Sequence, residues 1–209
     1  MTSQPDRPHP TRSLLILSLG ALAFALAQTM LIPALGELTH QLGTDASGIA
    51  WVLTGYLLAA AVATPIAGRL GDMFGKRRLL VGCLAIFGLG SVVAALGDTL
   101  GTVVAGRVLQ GFGGGIFPLC FGIIRDEFPR ERVAGSIGLI SAIFGIGGGA
   151  GLIGGGLIAD HLSYHWIFWL GAISAALAAL VAIVIPRGSH HVIRVRSSAA
   201  APPATRVTR

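Results

Sequence analysis

Six long apolar stretches constrain most strongly what this chain of 209 residues can fold into. A bilayer core about 30 Å thick is crossed by roughly 20 residues of α-helix. The stretches run over residues 13–36, 48–67, 79–97, 101–124, 134–159 and 164–185. The first is too long for the apolar region of a signal peptide, and no clear small-residue cleavage site follows it. The pattern therefore predicts an all-α integral membrane protein with six transmembrane helices.

The composition argues against the main soluble alternatives. Charged residues make up 11% of the chain and hydrophobic residues 53%, whereas a soluble domain carries about 25% charged residues. The formal net charge of +6 is also compatible with a nucleic-acid partner. However, the basic residues lie between the apolar stretches, where orientation in a membrane explains them better. We therefore expect a lipid bilayer, and no nucleic acid, around this chain.

The basic residues are distributed unevenly between the connectors. The connectors after the first, third and fifth stretches contain no Lys or Arg. Of the 15 basic residues, all except Arg107 lie on the opposite side, in the remaining connectors and the two terminal segments. By the positive-inside rule, this asymmetry places both termini in the cytoplasm. We expect a multi-pass protein of the cell inner (plasma) membrane.

The chain divides into three parts by composition. Segment 1–12 is polar and rich in Pro, and the tail 187–209 is rich in Ser, Ala, Pro and Arg. The tail has no helical period, and both segments are predicted to be disordered and cytoplasmic. Residues 13–186 are predicted to form the six-span transmembrane bundle.

The segment 68–78 carries the strongest motif, Gly-Arg-Leu-Gly-Asp-Met-Phe-Gly-Lys-Arg-Arg, between the second and third stretches. Its glycines allow a tight turn and a close approach of helices. Asp72 can pair with nearby guanidinium groups or lie at a helix N-terminus, where the helix dipole favours a negative charge. The positive-inside rule explains the basic triplet but not the glycines around an acid. The residues of interest are Gly68, Arg69, Asp72, Gly75, Lys76, Arg77 and Arg78.

Polar side chains inside the apolar stretches form a second group of candidates. Arg107 and Gln110 lie in the fourth stretch, and Gln28 lies in the first. An arginine at membrane depth costs several kcal/mol unless it faces protein or water; the alternative is that its long side chain reaches towards the nearby interface. Gln28 either lines a cavity or forms a hydrogen bond between helices.

The fifth stretch contains a regular series of glycines. Gly147, Gly151 and Gly155 recur every four residues, so they share one face of a helix. Such a face lets a neighbouring backbone come very close. We predict that these glycines form a helix-packing seam, either as a specific feature of the protein's function or as generic packing.

These motifs together resemble the major facilitator superfamily of secondary transporters. The segment 68–78 is similar to its loop signature, G-x-L-x-D-x-x-G-[RK]-[RK]-x, and residues 107–115 are similar to its span-four signature, R-x-x-Q-G-x-G-x-[GA]. The span-five glycines resemble its antiporter signature, with Gly148 and Leu152 where that signature has prolines. The sequences around Trp51 and Trp166 resemble the fourteen-span drug/proton antiporter (multidrug efflux) branch. Ala27-Gln28-Thr29 stands where that branch has Asp-x-Thr.

The resemblance implies a fold and an activity. The chain would be the N-terminal half of the superfamily fold, with two inverted three-helix repeats, and substrate would bind at midplane between two halves. The implied activity is proton-coupled export of small, drug-like compounds by alternating access. The energy source would be a proton gradient, with no cofactor. A second six-span bundle or self-association would complete the transporter; the alternative is a truncated fragment that does not transport.

The resemblance also implies roles for individual residues. The segment 68–78 would act as a cytoplasmic gate, and we call it the gating segment. Arg107, Gln110 and Gln28 would face the central cavity and take part in proton coupling. No nucleotide-binding, metal-ligating or catalytic constellation accompanies these motifs in the sequence, and His190-His191 in the tail is interpreted as incidental. The chain is therefore not expected to be an enzyme or to hold a metal.

Overall fold

The computed structural model describes residues 10–184, and the side chains of residues 13–183. Over this range the chain is helical and contains no strand. Its elements are α1 (Pro10–Thr29), α2 (Leu31–Gln41), α3 (Ala46–Phe74), α4 (Lys76–Ala95), α5 (Leu100–Phe112), a 3₁₀ turn (Gly113–Gly115), α6 (Ile116–Glu127), α7 (Arg130–His161) and α8 (His165–Val184). Five spans are long and apolar enough to cross a bilayer, and the bent pair of α1 and α2 provides a sixth. The predicted all-α, six-span fold is confirmed.

The first span is bent by 43° between α1 and α2. Pro33 has no N–H group to donate to the carbonyl of Thr29 four residues earlier, so the helical ladder is interrupted there. In addition, the Thr29 hydroxyl donates to the carbonyl of Ala25 at 2.9 Å, an interaction that also favours bending. The first apolar stretch was predicted as one helix from 13 to 36, and the break is a correction to that prediction.

The spans pack in pairs that reflect an internal symmetry. Helix α1 packs against α7 and α8, while α5 packs against α3 and α4, and α4 also packs against α8. Exchanging the first three spans with the last three, in chain order, turns the pair of spans one and five into the pair of spans four and two. It also turns the pair of spans one and six into the pair of spans four and three, and leaves the pair of spans three and six unchanged. This pairing fits the two three-helix repeats that the family resemblance implies.

Most of the gating segment is helical rather than a loop. Helix α3 continues through Phe74 and α4 begins at Lys76, so Gly75 alone separates them. Gly75 has a φ of 96°, a conformation that glycine adopts without the steric cost of a Cβ atom. The predicted helix ends at 67 and 79 were therefore wrong, and the polar residues of this segment lie on the last and first turns of two helices.

Two apolar clusters form the core along the bundle. One is built around Leu17, Phe24, Leu84 and Phe87, with residues of α6, α7 and α8. The other is built around Leu31, Leu38, Val52, Val103 and Tyr164. Polar side chains on α1, α4 and α5 lie between the two clusters. Along each of these helices, the residues before the polar side chain pack in one cluster, and the residues that follow it in the chain pack in the other. The interior of the bundle is thus interrupted by a polar layer.

Candidate functional site

Arg107 lies at the centre of this polar layer and is only 1% exposed. Its Nε atom donates to the carbonyl of Val52 on α3 at 3.2 Å. Its Nη1 atom donates to Oε1 of Gln110 at 2.6 Å and to Oε1 of Gln28 at 3.2 Å. The guanidinium carbon lies 4.4 Å from the ring centre of Tyr56, within the range of a cation–π interaction. The side chain therefore does not reach towards the interface but points into the protein.

The hydrogen bonds continue from Gln110 to the third span. Nε2 of Gln110 donates to the Ser91 hydroxyl at 2.6 Å, and Ser91 donates to the carbonyl of Phe87 at 2.9 Å. Among the described residues, no buried side-chain nitrogen or oxygen lacks a partner. We call this set the Arg107 network; its side chains are Gln28, Tyr56, Ser91, Arg107 and Gln110, and it joins the first four spans.

Three glycines bring the backbones close enough for this network to form. A Cβ atom at Gly90 would lie 2.6 Å from the backbone nitrogen of Gln110, and one at Gly106 would lie 2.6 Å from that of Ala94. A Cβ atom at Gly111 would lie 2.5 Å from the carbonyl oxygen of Tyr56. Because only glycine permits these contacts, α5 lies directly against α3 and α4 at the level of Arg107.

The acceptors around Arg107 are neutral. Two are side-chain amide oxygens and one is a backbone carbonyl. Ala27, at the position where the resemblance expects an acid, is 6% exposed, and a Cβ atom at Gly171 of α8 would lie 3.3 Å from it. Ala27 therefore packs against α8, and the neighbouring Gln28 makes the polar contact with Arg107.

The gating segment places its basic residues beside the ends of other helices. Nζ of Lys76 lies 2.7 Å from Oδ2 of Asp126 at the end of α6 and 3.2 Å from Oδ1 of Asp72. Nη2 of Arg77 donates to the carbonyl of Ala182 on α8 at 3.4 Å. Asp72 therefore pairs with an ammonium group, and the two basic residues join α3, α4, α6 and α8.

The remaining residues of segment 68–78 lie around this ion-pair cluster. Arg69, Asp72 and Arg78 are exposed, while Gly68 and Gly75 are partly exposed. The side chain of Lys76 reaches Asp126 through a gap between two glycines: a Cβ atom at Gly122 would lie 2.9 Å from Cδ of Lys76, and one at Gly71 would lie 3.3 Å from its Cγ. These glycines leave room for the lysine to extend.

The glycine series of α7 faces the first span. A Cβ atom at Gly147 would lie 2.9 Å from Cδ1 of Leu22. One at Gly151 would overlap the Thr29 hydroxyl, and one at Gly155 would overlap the backbone of Met30. The series thus packs along α1 as far as the bend in the first span.

Sequence reasoning missed four residues of these sites. Tyr56 and Ser91 belong to the Arg107 network, while Asp126 and Gly122 contact Lys76. Ser91 could have been noticed as a polar residue within an apolar stretch, and Asp126 as an acid within a basic connector. The paired His190-His191 and the tail lie outside the described residues. Within the described residues, no group of three or more His, Cys, Asp or Glu could hold a metal ion.

Taken together, the geometry defines an all-helical membrane bundle with a buried cationic centre and an ion-paired cluster at one end. The sequence profile of the Major Facilitator Superfamily matches residues 17–208. The chain belongs to this superfamily, whose members are transporters rather than enzymes.

Known proteins share both sequence and fold with this chain. Multidrug resistance protein 3 of Bacillus subtilis is 34% identical over 163 residues, which cover 78% of this chain and 32% of that protein. The tetracenomycin C resistance and export protein of Streptomyces glaucescens is 36% identical over 177 residues, covering 84% and 32% respectively. The crystal structure of a D-xylose–proton symporter superposes with a TM-score of 0.69 at 19% identity, over 85% of this chain and 48% of that one. The chain spans about a third of the length of these curated relatives, 32% in both cases.

Proposed function

We propose that this chain is one six-span half of a proton-coupled exporter of small, drug-like compounds. In this proposal a second six-span bundle, either a second copy of this chain or a separate protein, supplies the other wall of the substrate cavity. The two bundles rock against each other, so that the cavity opens to each side of the cell inner membrane in turn. The relatives named for drug resistance and export support the direction of transport.

The observation that carries the proposal is the Arg107 network. A buried cation joined to four spans through hydrogen bonds holds those spans as one rigid unit, because breaking any contact would strand a buried polar group. Rocking of rigid bundles requires such units. We propose that Arg107, with Gln110 and Gln28, biases the protonation of groups that enter the cavity as access alternates.

The cytoplasmic gate in this proposal is the ion-pair cluster around Lys76. Lys76 joins the ends of α3, α4 and α6, and Arg77 reaches α8. Pairs of this kind at helix ends are partly exposed and individually weak, so they can form and break during a transport cycle. The positive-inside distribution of the sequence supports the cytoplasmic location of this cluster.

A flux measurement tests the proposal. Everted membrane vesicles that contain the 209-residue chain are given an acidic interior and the neutral fluorescent dye N-phenyl-1-naphthylamine. We expect dye accumulation that depends on the gradient and is abolished by a protonophore and by Arg107→Ala. Arg130→Ala is the matched control, because Arg130 is exposed at the start of α7, and it should transport normally.

The second bundle is tested separately. If two copies form the transporter, crosslinking of the purified chain in lipid nanodiscs should trap a dimer, and flux should rise with the fraction of dimer. Gradient-independent dye movement, or unchanged flux in Arg107→Ala, would contradict the proposed coupling. Flux by a chain that stays monomeric, or a trapped dimer without flux, would contradict the idea that a second copy completes the transporter.

A further inference from the structure

Acidic side chains are confined to the ends of the spans. Among residues 10–184, every Asp and Glu lies in a connector or within the first turn or last two turns of a helix. These residues are Glu37, Asp45, Asp72, Asp98, Asp126, Glu127, Glu131 and Asp160. Arg107, by contrast, lies two turns inside the fourth span, which runs over Leu100–Glu127. The interior of this bundle therefore carries a positive charge with no acid close to it.

The hydrogen bonds to Arg107 solvate this charge without cancelling it. Its acceptors are the oxygens of Gln28, Gln110 and Val52, which are dipoles with no net charge. Dipoles lower the cost of burying a guanidinium group, but its unit charge is still felt at a distance. Because the group is shielded from water, salt screens it much less than a surface charge.

Gln28 connects the buried charge to the protein surface. Arg107, Gln110 and Ser91 are each 1% exposed or less, whereas Gln28 is partly exposed. Ile32, one turn further along the first span, is 53% exposed. A ligand lying against Gln28 and Ile32 would therefore meet an amide and an apolar surface, with the guanidinium group directly behind the amide.

We infer that the surface formed by Gln28 and Ile32, backed by Arg107, favours organic anions over cations of the same shape. The preferred ligand would combine an aromatic or aliphatic body with a carboxylate or sulfonate. This inference rests on the proposed function, because it assigns a substrate class to the exporter. For a charge roughly 10 Å from the guanidinium group, at an effective dielectric constant of about 20, an anion should bind about tenfold more tightly and a cation about tenfold less tightly than a neutral ligand of the same shape. The anion-to-cation preference is therefore roughly a hundredfold.

Binding of a matched series of dansyl probes tests the inference. The probes are dansylglycine, which is an anion, neutral dansylamide, and the cation dansylaminoethyl-trimethylammonium. Their fluorescence is titrated with the full chain in phosphatidylcholine nanodiscs, with empty nanodiscs as the baseline. We expect the Kd of the anion to be roughly a hundredfold below that of the cation, with the neutral probe between them.

Two variants at position 28 locate the origin of the preference. Gln28→Glu places a carboxylate beside Nη1 of Arg107 and neutralises the charge, so the anion-to-cation preference should fall roughly a hundredfold and approach one. Gln28→Asn keeps a neutral amide and should retain the preference. Equal binding of anion and cation by the unmodified chain, a preference for the cation, or no binding of any probe would overturn the inference; so would an unchanged preference in folded Gln28→Glu.

The outcome is distinguishable from that of the flux experiment. The flux experiment uses a neutral dye, and its result does not depend on ligand charge. Anion preference in binding without any gradient-driven flux would uphold the inference and reject the proposed export. Flux of the neutral dye with no charge preference in binding would uphold the proposed export and reject the inference. If Gln28→Glu fails to fold, the ratio measured on the unmodified chain decides alone.

Discussion

Two cations in this molecule have opposite environments. Arg107 is buried in the middle of the bundle and is held by neutral oxygens. Lys76 lies at a helix end and is held by two carboxylates, Asp72 and Asp126, whose side chains are 70% and 57% exposed. Near water, a charged pair forms at little desolvation cost and contributes little stability. Within the membrane core each additional charge is expensive, so amides take the role that carboxylates have at the helix ends.

The two environments imply different consequences when the contacts of each cation are lost. The Arg107 network is fully satisfied, and its loss would leave several buried polar groups without partners. The Lys76 pairs can exchange with water and can therefore break in a conformational change.

Replacing Arg107 with Leu should produce the largest loss of stability. The change removes the donor to Gln28, Gln110 and Val52, and unsatisfied buried polar groups cost about 1–3 kcal/mol each. Because amides can partly pair with each other, we expect a net loss of about 2–4 kcal/mol. The loss in the free energy of unfolding is measured by unfolding the protein in mixed micelles with an increasing fraction of sodium dodecyl sulfate. Arg130→Leu, at an exposed helix start, should stay within about 0.5 kcal/mol; a loss equal to that of Arg107→Leu would contradict the contrast.

Replacing Gln110 with Leu should cost less, about 2 kcal/mol, because Arg107 keeps Gln28 and Val52 as acceptors. Gln110 also donates to Ser91, so the two positions should be coupled. In a double-mutant cycle with Ser91→Ala, we expect the combined loss to be smaller than the sum of the single losses by about 0.5 kcal/mol or more. Additive losses in the same unfolding assay would show that the network does not act as a unit.

Replacing Gly122 with Ala should displace Lys76 without disturbing the helices. The new methyl group would meet the flexible stem of the lysine, so the pair with Asp126 should weaken by less than about 1 kcal/mol. The substitution also gains helix propensity, up to about 1 kcal/mol. Gly138→Ala provides the matched control, because a Cβ atom there meets nothing within 4 Å.

The difference between these two variants isolates the ion pair. Gly122→Ala should be less stable than Gly138→Ala, and the difference should shrink as salt is raised. It should also vanish when both substitutions are made on an Asp126→Asn background. A difference that persists on that background would mean that Gly122 is required for packing rather than for the position of Lys76.

The smallest effect is expected at Asp45, an exposed carboxylate that caps the N-terminus of α3. Its side chain accepts from the N–H of Gly48 at 2.8 Å, and this bond, with one from Ser47, lowers the pKa of Asp45 below its ordinary value of 3.8. A lowered pKa means that the carboxylate stabilises the fold above pH 3.8 and loses this contribution as pH falls through the folded-state pKa. Unfolding midpoints of the unmodified chain and Asp45→Asn should therefore differ slightly at neutral pH and converge under acid conditions. A constant difference across the titration would exclude the charge as the cause.

Hydropathy and the charge pattern were sufficient to predict the spans and to identify the unusual polar residues within them. The six stretches were predicted to within several residues, and Arg107, Gln110 and Gln28 were recognised as unusual because polar groups at membrane depth are costly. The errors concern helix ends, since hydropathy falls where polar residues begin, although the helices at Phe74 and Lys76 continue past that point. The bend in the first span was also missed, even though Pro33 was visible in the sequence.

The amino-acid sequence alone established a membrane bundle of six helices, its family motifs and an uneven distribution of positive charge, because each of these depends on residues close together in the chain. The folded molecule alone revealed that Arg107 is held by amides, that Lys76 passes between Gly71 and Gly122 to reach Asp126, and that the glycines of α7 pack along α1. These contacts join residues far apart in sequence, such as Gln28 and Arg107, which are 79 positions apart. Their existence depends on how closely two backbones approach, and that distance is set by the packing of all the helices together.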